Sequence, residues 1–186
     1  MRRRLLRPGQ PRRGRGLEKK VAGEPDDHAL GRSRGGFGTK IHLVTDGRGL
    51  PLAVEVTAGQ RHESKAFEPV LNAVRVPRRR GRPRRRPRRL AGDKGYSYPW
   101  IRRWLRRHGI RAVIPTRKDQ RRRPGFDRDA YRRRNVVERC VNWLKDSRAL
   151  ATRFDKLAVN YLATVKLAIL QRYLRILAPV EPSDRP

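Results

Sequence analysis

The sequence predicts a mixed α/β fold, and three observations predict it. Two β-branched runs, 39–45 and 52–57, flank Asp46-Gly47-Arg48-Gly49, whose composition is that of a tight turn. Short apolar runs at 90–92 and 112–114 alternate with stretches whose apolar residues fall at helical spacing. The resulting order, β-β-α-β-α-β-α-α, calls for helices packed on a sheet that contains parallel strands.

Each element follows from its residues. Residues 1–36 are rich in Arg, Gly and Pro and poor in large apolar groups, so they are expected to form a basic, largely disordered arm. The two β-branched runs read as an antiparallel hairpin. Between Ser64 and Val74, the residues Ala66, Phe67, Val70, Leu71 and Val74 recur at helical spacing. Pro77 to Arg89 holds nine Arg and three Pro in thirteen residues; it repels itself, resists helix and strand alike, and reads as a solvated loop. Leu90-Ala91-Gly92 is a short strand leading into Asp93-Lys94-Gly95-Tyr96. Pro99 to His108 is a helix carrying Ile101, Trp104 and Leu105 and closed by Gly109, and Ala112-Val113-Ile114 is a strand stopped by Pro115. After a charged loop, two helices run from Ala130 to about Leu150 and from Leu157 to Leu177, and 178–186 reads as a disordered tail.

Composition narrows the function. The 186 residues make one domain's worth, with 49 basic residues against 17 acidic ones and a formal net charge of +32. Nucleic acid is the expected partner, because each phosphate neutralised releases condensed counterions. Forty of the basic residues are Arg and nine are Lys, which fits either selection for bidentate phosphate contacts or GC-rich coding bias. The single cysteine, Cys140, excludes an intramolecular disulfide and a cysteine-built zinc site, and it is expected to pack in a helix core in a cytoplasmic setting. The segment 157–177 contains Lys166, Arg172 and Arg175, so it reads as a packing helix and no membrane partner is expected. Trp100, Trp104 and Trp143 lie on helices and are expected in the core. The four histidines share no ligand spacing, and Gly31 to Gly38 lacks the Lys-Ser/Thr ending of a phosphate loop.

The chemistry concentrates in one helix. At about 100° per residue, Arg134, Glu138 and Lys145 fall within about 60° of Tyr131, which puts a carboxylate between two cations on one stripe. Val136, Val137, Cys140, Val141 and Leu144 take roughly the opposite arc. A carboxylate flanked by cations suits a metal held beside phosphates, and it equally describes an exposed helix ion pair. Asp93 ends a strand, the place where ligands collect in α/β sheets, and it equally suits the cap of the turn that follows. Asp46, in Asp-Gly, reads as a turn former.

Together, Tyr131, Arg134, Glu138 and Lys145, the upstream Asp93-Lys94-Gly95-Tyr96, and the stretches Gly31 to Gly36 and Asp46 to Gly49 resemble a bacterial insertion-sequence transposase of the DDE type with the YREK signature, from about Gly23 to Leu177. The resemblance implies a ribonuclease H-like mixed sheet flanked by helices at 37–177, in which three carboxylates bind two divalent cations, Mg²⁺ or Mn²⁺, for DNA strand cleavage and transfer. On it, Asp93 matches the second catalytic, metal-binding carboxylate and Glu138 the third, while Tyr131, Arg134 and Lys145 match residues that contact transposon-end DNA. The implied partners are double-stranded DNA, at terminal inverted repeats and at the target, and further copies of the transposase; the implied setting is the bacterial nucleoid.

The sequence also departs from that pattern. The first carboxylate of the family ends the first, central strand, upstream of Gly31, and the acids available there, Glu18, Glu24, Asp26 and Asp27, lie on no apolar run. A sheet without its first strand, with a gap in it, is therefore expected, as is weak or no activity of this polypeptide alone. A decayed copy, a miscalled start and the second frame of a frameshifted enzyme all fit. The alternative is a non-catalytic basic protein that binds nucleic acid and regulates a full-length transposase.

Overall fold

Strand β3 (Gly36–Thr45) is the spine of the fold. The computed structural model describes residues 4–6, 28–33, 36–121 and 124–178. Side chains alternate across a strand, so Ile41 and Leu43 face one core and His42 and Val44 the other. Strand β4 (Pro51–Ala58) pairs with β3 antiparallel, from Thr39 opposite Ala58 to Thr45 opposite Pro51. The turn between them is closed by Asp46, whose Oδ1 accepts the backbone N–H groups of Arg48 and Leu50 at 2.8 Å each. The turn role expected of Asp46 is the one observed.

Two pieces of the stretch expected to be a disordered arm are paired with β3. Strand β2 (Gly31–Ser33) runs antiparallel to residues 36–38, and β1 (Arg4–Leu6) antiparallel to residues 38–40. Thr39 and Lys40 pair with β1 and β4 at once, so those two strands take opposite edges of β3. At Gly59 the backbones converge: a Cβ there would lie 2.6 Å from the Gly31 carbonyl and 2.8 Å from that of Gly38, which only glycine avoids. The glycine-rich stretch is thus a sheet corner. Residues 7–27 of the arm lie outside the described residues.

The parallel strands expected at 90–92 and 112–114 are present as β5 (Arg89–Ala91) and β6 (Arg111–Val113), in parallel register. They form a second, two-stranded sheet and do not join the first. Among the described residues no strand bridges β3 and β5, and a slot of about 530 Å³ separates them.

Helices cover both sheets. Helix α1 (Ser64–Asn72) and α2 (Pro99–Arg107) join Phe67, Leu71, Ile101 and Leu105 to Ile110 and Ile114 in one core. The segment expected to be one helix from Ala130 to Leu150 is three: α3 (Arg128–Arg132), α4 (Asn135–Asp146) and α5 (Arg148–Thr152). Asp127 caps α3 by accepting the Ala130 N–H, and across the turn at 133–134 the N–H groups of Arg134, Val136 and Val137 bond i→i−3, the tighter 3₁₀ pattern. Ser147, extended, ends α4 and opens α5, as short hydroxyl residues favour caps over helix interiors. Helix α6 (Ala158–Leu177) buries Tyr161 and Val165 with Cys140, Val141, Leu144, Leu150 and β3 in the second core. Burial pushes the Cys140 thiol up to about 11, as suits a core cysteine. No described helix is long and apolar enough to cross a membrane. Trp104 and Trp143 pack half-buried against the two cores, whereas Trp100, expected inside, is 40% exposed, touching Phe67 with its edge.

Arg153 ties these parts together from the α5–α6 link. Its buried guanidinium donates to the carbonyls of His28 (2.6 Å), Ala29 (3.1 Å) and Lys156 (3.2 Å) and to the Thr39 hydroxyl, and it lies over the Tyr161 ring. Arg153→Met is expected to lower the unfolding free energy by about 3 kcal/mol, since charged hydrogen bonds are lost and their acceptors stay buried. Arg153→Lys should recover little, having no fork. Urea midpoints measure both.

His42 is buried, with Nε2 2.8 Å from the Thr57 hydroxyl. Burial, reinforced by the Lys40 and Arg61 charges, lowers its pKa from 6.5 to about 4. The unfolded chain therefore binds the proton first. Stability is expected to be complete above pH 6.5, to fall by up to about 3 kcal/mol as pH drops to 4, and to level off below. Thermal melts across that window, compared with His42→Gln, isolate the contribution.

Candidate catalytic and DNA-contacting site

Asp93 lies two residues past the end of β5, at the start of a one-turn 3₁₀ helix, Lys94–Tyr96. Its Oδ1 accepts the Gly95 N–H at 2.7 Å, so the carboxylate is held by the turn it caps. The turn in turn is clamped from behind. Arg117 donates to the carbonyls of Lys94 and Gly95, Gln120 exchanges hydrogen bonds with the hydroxyl and carbonyl of Ser97, and Arg102 joins Ser97 to the carbonyl of Ile114 at 2.8 Å. Arg117 also covers the Tyr98 ring, whose hydroxyl meets His62 Nε2 at 3.0 Å. Sequence reasoning missed Arg102, Arg117 and Gln120. Two of them sit in a stretch whose only visible signal was charge, and nothing in their spacing announces a shared target.

Glu138 sits in the first turn of α4, where the helix dipole favours a carboxylate. Arg134 Nη2 meets its Oε1 at 2.9 Å while the Arg134 guanidinium lies over the Tyr131 ring. Three of the four striped residues are thus in one chain of contacts, ring to guanidinium to carboxylate. The helix break falls between Tyr131 and Arg134, so the stripe is not one continuous helix face as expected. Lys145 is in the last turn of α4, half-buried. The arc opposite the stripe is as read for Cys140, Val141 and Leu144, which are buried; Val136 and Val137 are half-buried.

Asp93 follows strand β5 and Glu138 rides on helix α4, and both stand next in the chain to residues of one slot. Their chain neighbours Gly92 and Val137 both line the slot between the sheets, as do Asp46 and Arg134. The β3–β4 turn reaches the same place, since a Cβ on Gly49 (φ +88°) would lie 3.1 Å from the Val136 carbonyl.

Comparison with known proteins settles the family. The family described as Transposase DDE domain matches residues 14–171. The chain belongs to the DDE transposase family. It is similar to a curated Burkholderia cepacia protein named "Putative transposase for insertion sequence element IS402", 37% identical over 131 residues, which are 70% of this chain and 60% of the relative. The chain thus spans under two thirds of that relative's length. No solved structure matches it.

Members of the DDE family generally use divalent metal ions. Among the described residues no three His, Cys, Asp or Glu side chains gather closely enough to hold one. Asp93 and Glu138 each have one oxygen already engaged, by Gly95 N–H and by Arg134. Two carboxylates so committed do not make up the donor set of a two-ion centre.

The cap role and a catalytic role of Asp93 separate by substitution. Asp93→Asn keeps an N-capping oxygen and is expected to leave stability within a few tenths of a kcal/mol, whereas Asp93→Ala should cost about 1 kcal/mol. Paired chemical denaturation curves provide the comparison.

Proposed function

We propose that this transposase domain acts in DNA transposition at insertion-sequence ends, binding double-stranded DNA and contributing to metal-dependent strand cleavage and transfer. The observation that carries the reading is the match to the DDE family over 14–171, coupled with a single slot lined by Gly92 and Val137, the chain neighbours of Asp93 and Glu138. In this reading the domain is ribonuclease H-like, and Asp93 and Glu138 are two of the carboxylates that hold Mg²⁺ or Mn²⁺. Tyr131, Arg134 and Lys145, the remainder of a YREK signature, contact terminal-inverted-repeat DNA. The Tyr131–Arg134–Glu138 chain gives Arg134 a positioning role as well: it presents a cation beside the carboxylate and fixes the rotamer of both.

A net charge of +32 supports a DNA partner and makes binding steeply salt-dependent. The exposed arginines of the 77–86 loop, pinned at its base by the Val76–Arg84 bridge, add sequence-independent phosphate contacts. With only two of its carboxylates assigned, the polypeptide alone is expected to be weakly active or inactive, in a cytoplasmic, nucleoid-associated setting and in company with further transposase copies. A non-catalytic DNA-binding regulator is the second reading, favoured by the two-carboxylate set.

Purified protein with inverted-repeat duplex and Mg²⁺ or Mn²⁺ distinguishes them. Retarded duplex in gels, lost as salt rises from 50 to about 200 mM, is expected of both. Cleavage in excess of background that vanishes in Asp93→Asn and Glu138→Gln supports the enzyme; cleavage that survives both substitutions removes these residues from the chemistry. Absence of retardation at low salt would overturn the DNA reading itself.

A further inference from the structure

Helix α6 buries one face and leaves the opposite face bare. Tyr161 and Val165 are buried in the core, with Leu162, Ala168 and Ile169 packed half-buried beside them. At about 100° per residue, Val159, Ala163, Leu167, Leu170, Leu174 and Leu177 fall within about 80° of arc, centred opposite Tyr161 and Val165. All six are exposed. From Ala163 onward they recur at alternating steps of four and three, the spacing that lays one helix along another. The outer arc of a surface helix is ordinarily polar; here it is aliphatic along its whole length.

Area and charge say what covers it. Leu167, Leu170, Leu174 and Leu177 keep 64%, 52%, 55% and 78% of their surface bare. That is on the order of 450 Å² of leucine per copy, comparable to the largest apolar patch on a typical monomer. A symmetric pair of such faces buries about 900 Å² from these leucines alone, and Val159, Ala163 and the flanks carry it past the roughly 1,000 Å² that a specific interface needs. Neither DNA nor an acidic partner fits the stripe, because both call for cations and it has none. Lys166 stands on its border, and Arg172 lies over the Trp143 ring. With a net charge of +32, two copies repel each other over most of their surface, and this uncharged arc is where they approach at least cost. A second copy also brings the same aliphatic stripe, as a two-fold contact requires. The helix is already held by its own core, so pairing has only side chains to order.

We propose that the bare face of α6 is a two-fold interface between two copies of this chain. The inference deepens the transposase reading, which expects further copies, by giving them a surface, and it rests on that reading for nothing else. Its signature is an inverted response to salt. Repulsion between the two cationic chains is screened as the Debye length falls from about 10 Å at 0.1 M to about 3 Å at 1 M, while apolar burial is not screened. Pairing therefore tightens under the salt that releases DNA.

The test is sedimentation of the full chain, cleared of nucleic acid by nuclease, over a dilution series. Monomer and dimer are expected in concentration-dependent exchange, with a dissociation constant at least about threefold tighter in 1 M than in 0.1 M sodium chloride. Leu167→Lys and Leu170→Gln should each weaken the dimer about tenfold or more, whereas Phe37→Ser, at an exposed site on β3, should leave it intact. A monomer at every concentration in both salts overturns the interface, as it would if residues 7–27 or 179–186 cover the stripe instead. So does a dimer that dissolves as salt rises, whose contact is then charge, or one that neither leucine substitution weakens. The dilution and salt series use the unaltered chain and decide the matter even if a variant fails to fold. A monomer that still retards inverted-repeat duplex overturns this interface and leaves the DNA reading standing.

Discussion

The Arg153 guanidinium is the interaction on which the rest of the structure depends. It is a buried cation held by backbone carbonyls at His28, Ala29 and Lys156, by the Thr39 hydroxyl and by the Tyr161 ring. Those groups belong to the segment that precedes β2, to β3 and to the start of α6. One planar fork therefore fixes three pieces of chain that are distant in sequence. The residue sits at φ +37°, a backbone conformation that costs a non-glycine residue on the order of 1 kcal/mol, offset by the bonds it permits.

With that link in place, β3 can serve two cores at once. Ile41 and Leu43 close the core made with α4, α5 and α6, and Val44 reaches the core of α1 and α2. The candidate site inherits its geometry from this division. Glu138 rides on α4, which is anchored by Cys140, Val141 and Leu144 in the core shared with α5 and α6, and Asp93 rides on a turn anchored by Tyr96 in the core of α1 and α2. How the two carboxylates stand relative to each other is thus set by how the two cores meet, along the slot between β3 and β5.

Much of this was legible beforehand because local chemistry dominates it. The hairpin announced itself through alternation and Asp-Gly, and the capping oxygen of Asp46 is what makes that turn. Helices α1 and α2 followed from spacing, the parallel pair from short apolar runs between helices. The misreadings have two causes. The clamp of Arg117 and Gln120 on the Asp93 turn and the contact of Trp100 with Phe67 depend on partners far along the chain, about which periodicity carries no information, and the break at Arg133–Arg134 is a local turn inside a stretch of otherwise helical spacing.

By itself the sequence determined the order of the elements, the overwhelming positive charge and the identity of the acids, cations and phenol on which the family resemblance rests, since each depends on residue type and near-neighbour spacing. Only the tertiary structure decided that the described strands form two sheets, that Arg134 stands between Tyr131 and Glu138, and that an arginine in an unremarked loop is the central tie. Those outcomes turn on how separate cores pack against one another, where the competing energies are burial and hydrogen-bond satisfaction over long sequence separations.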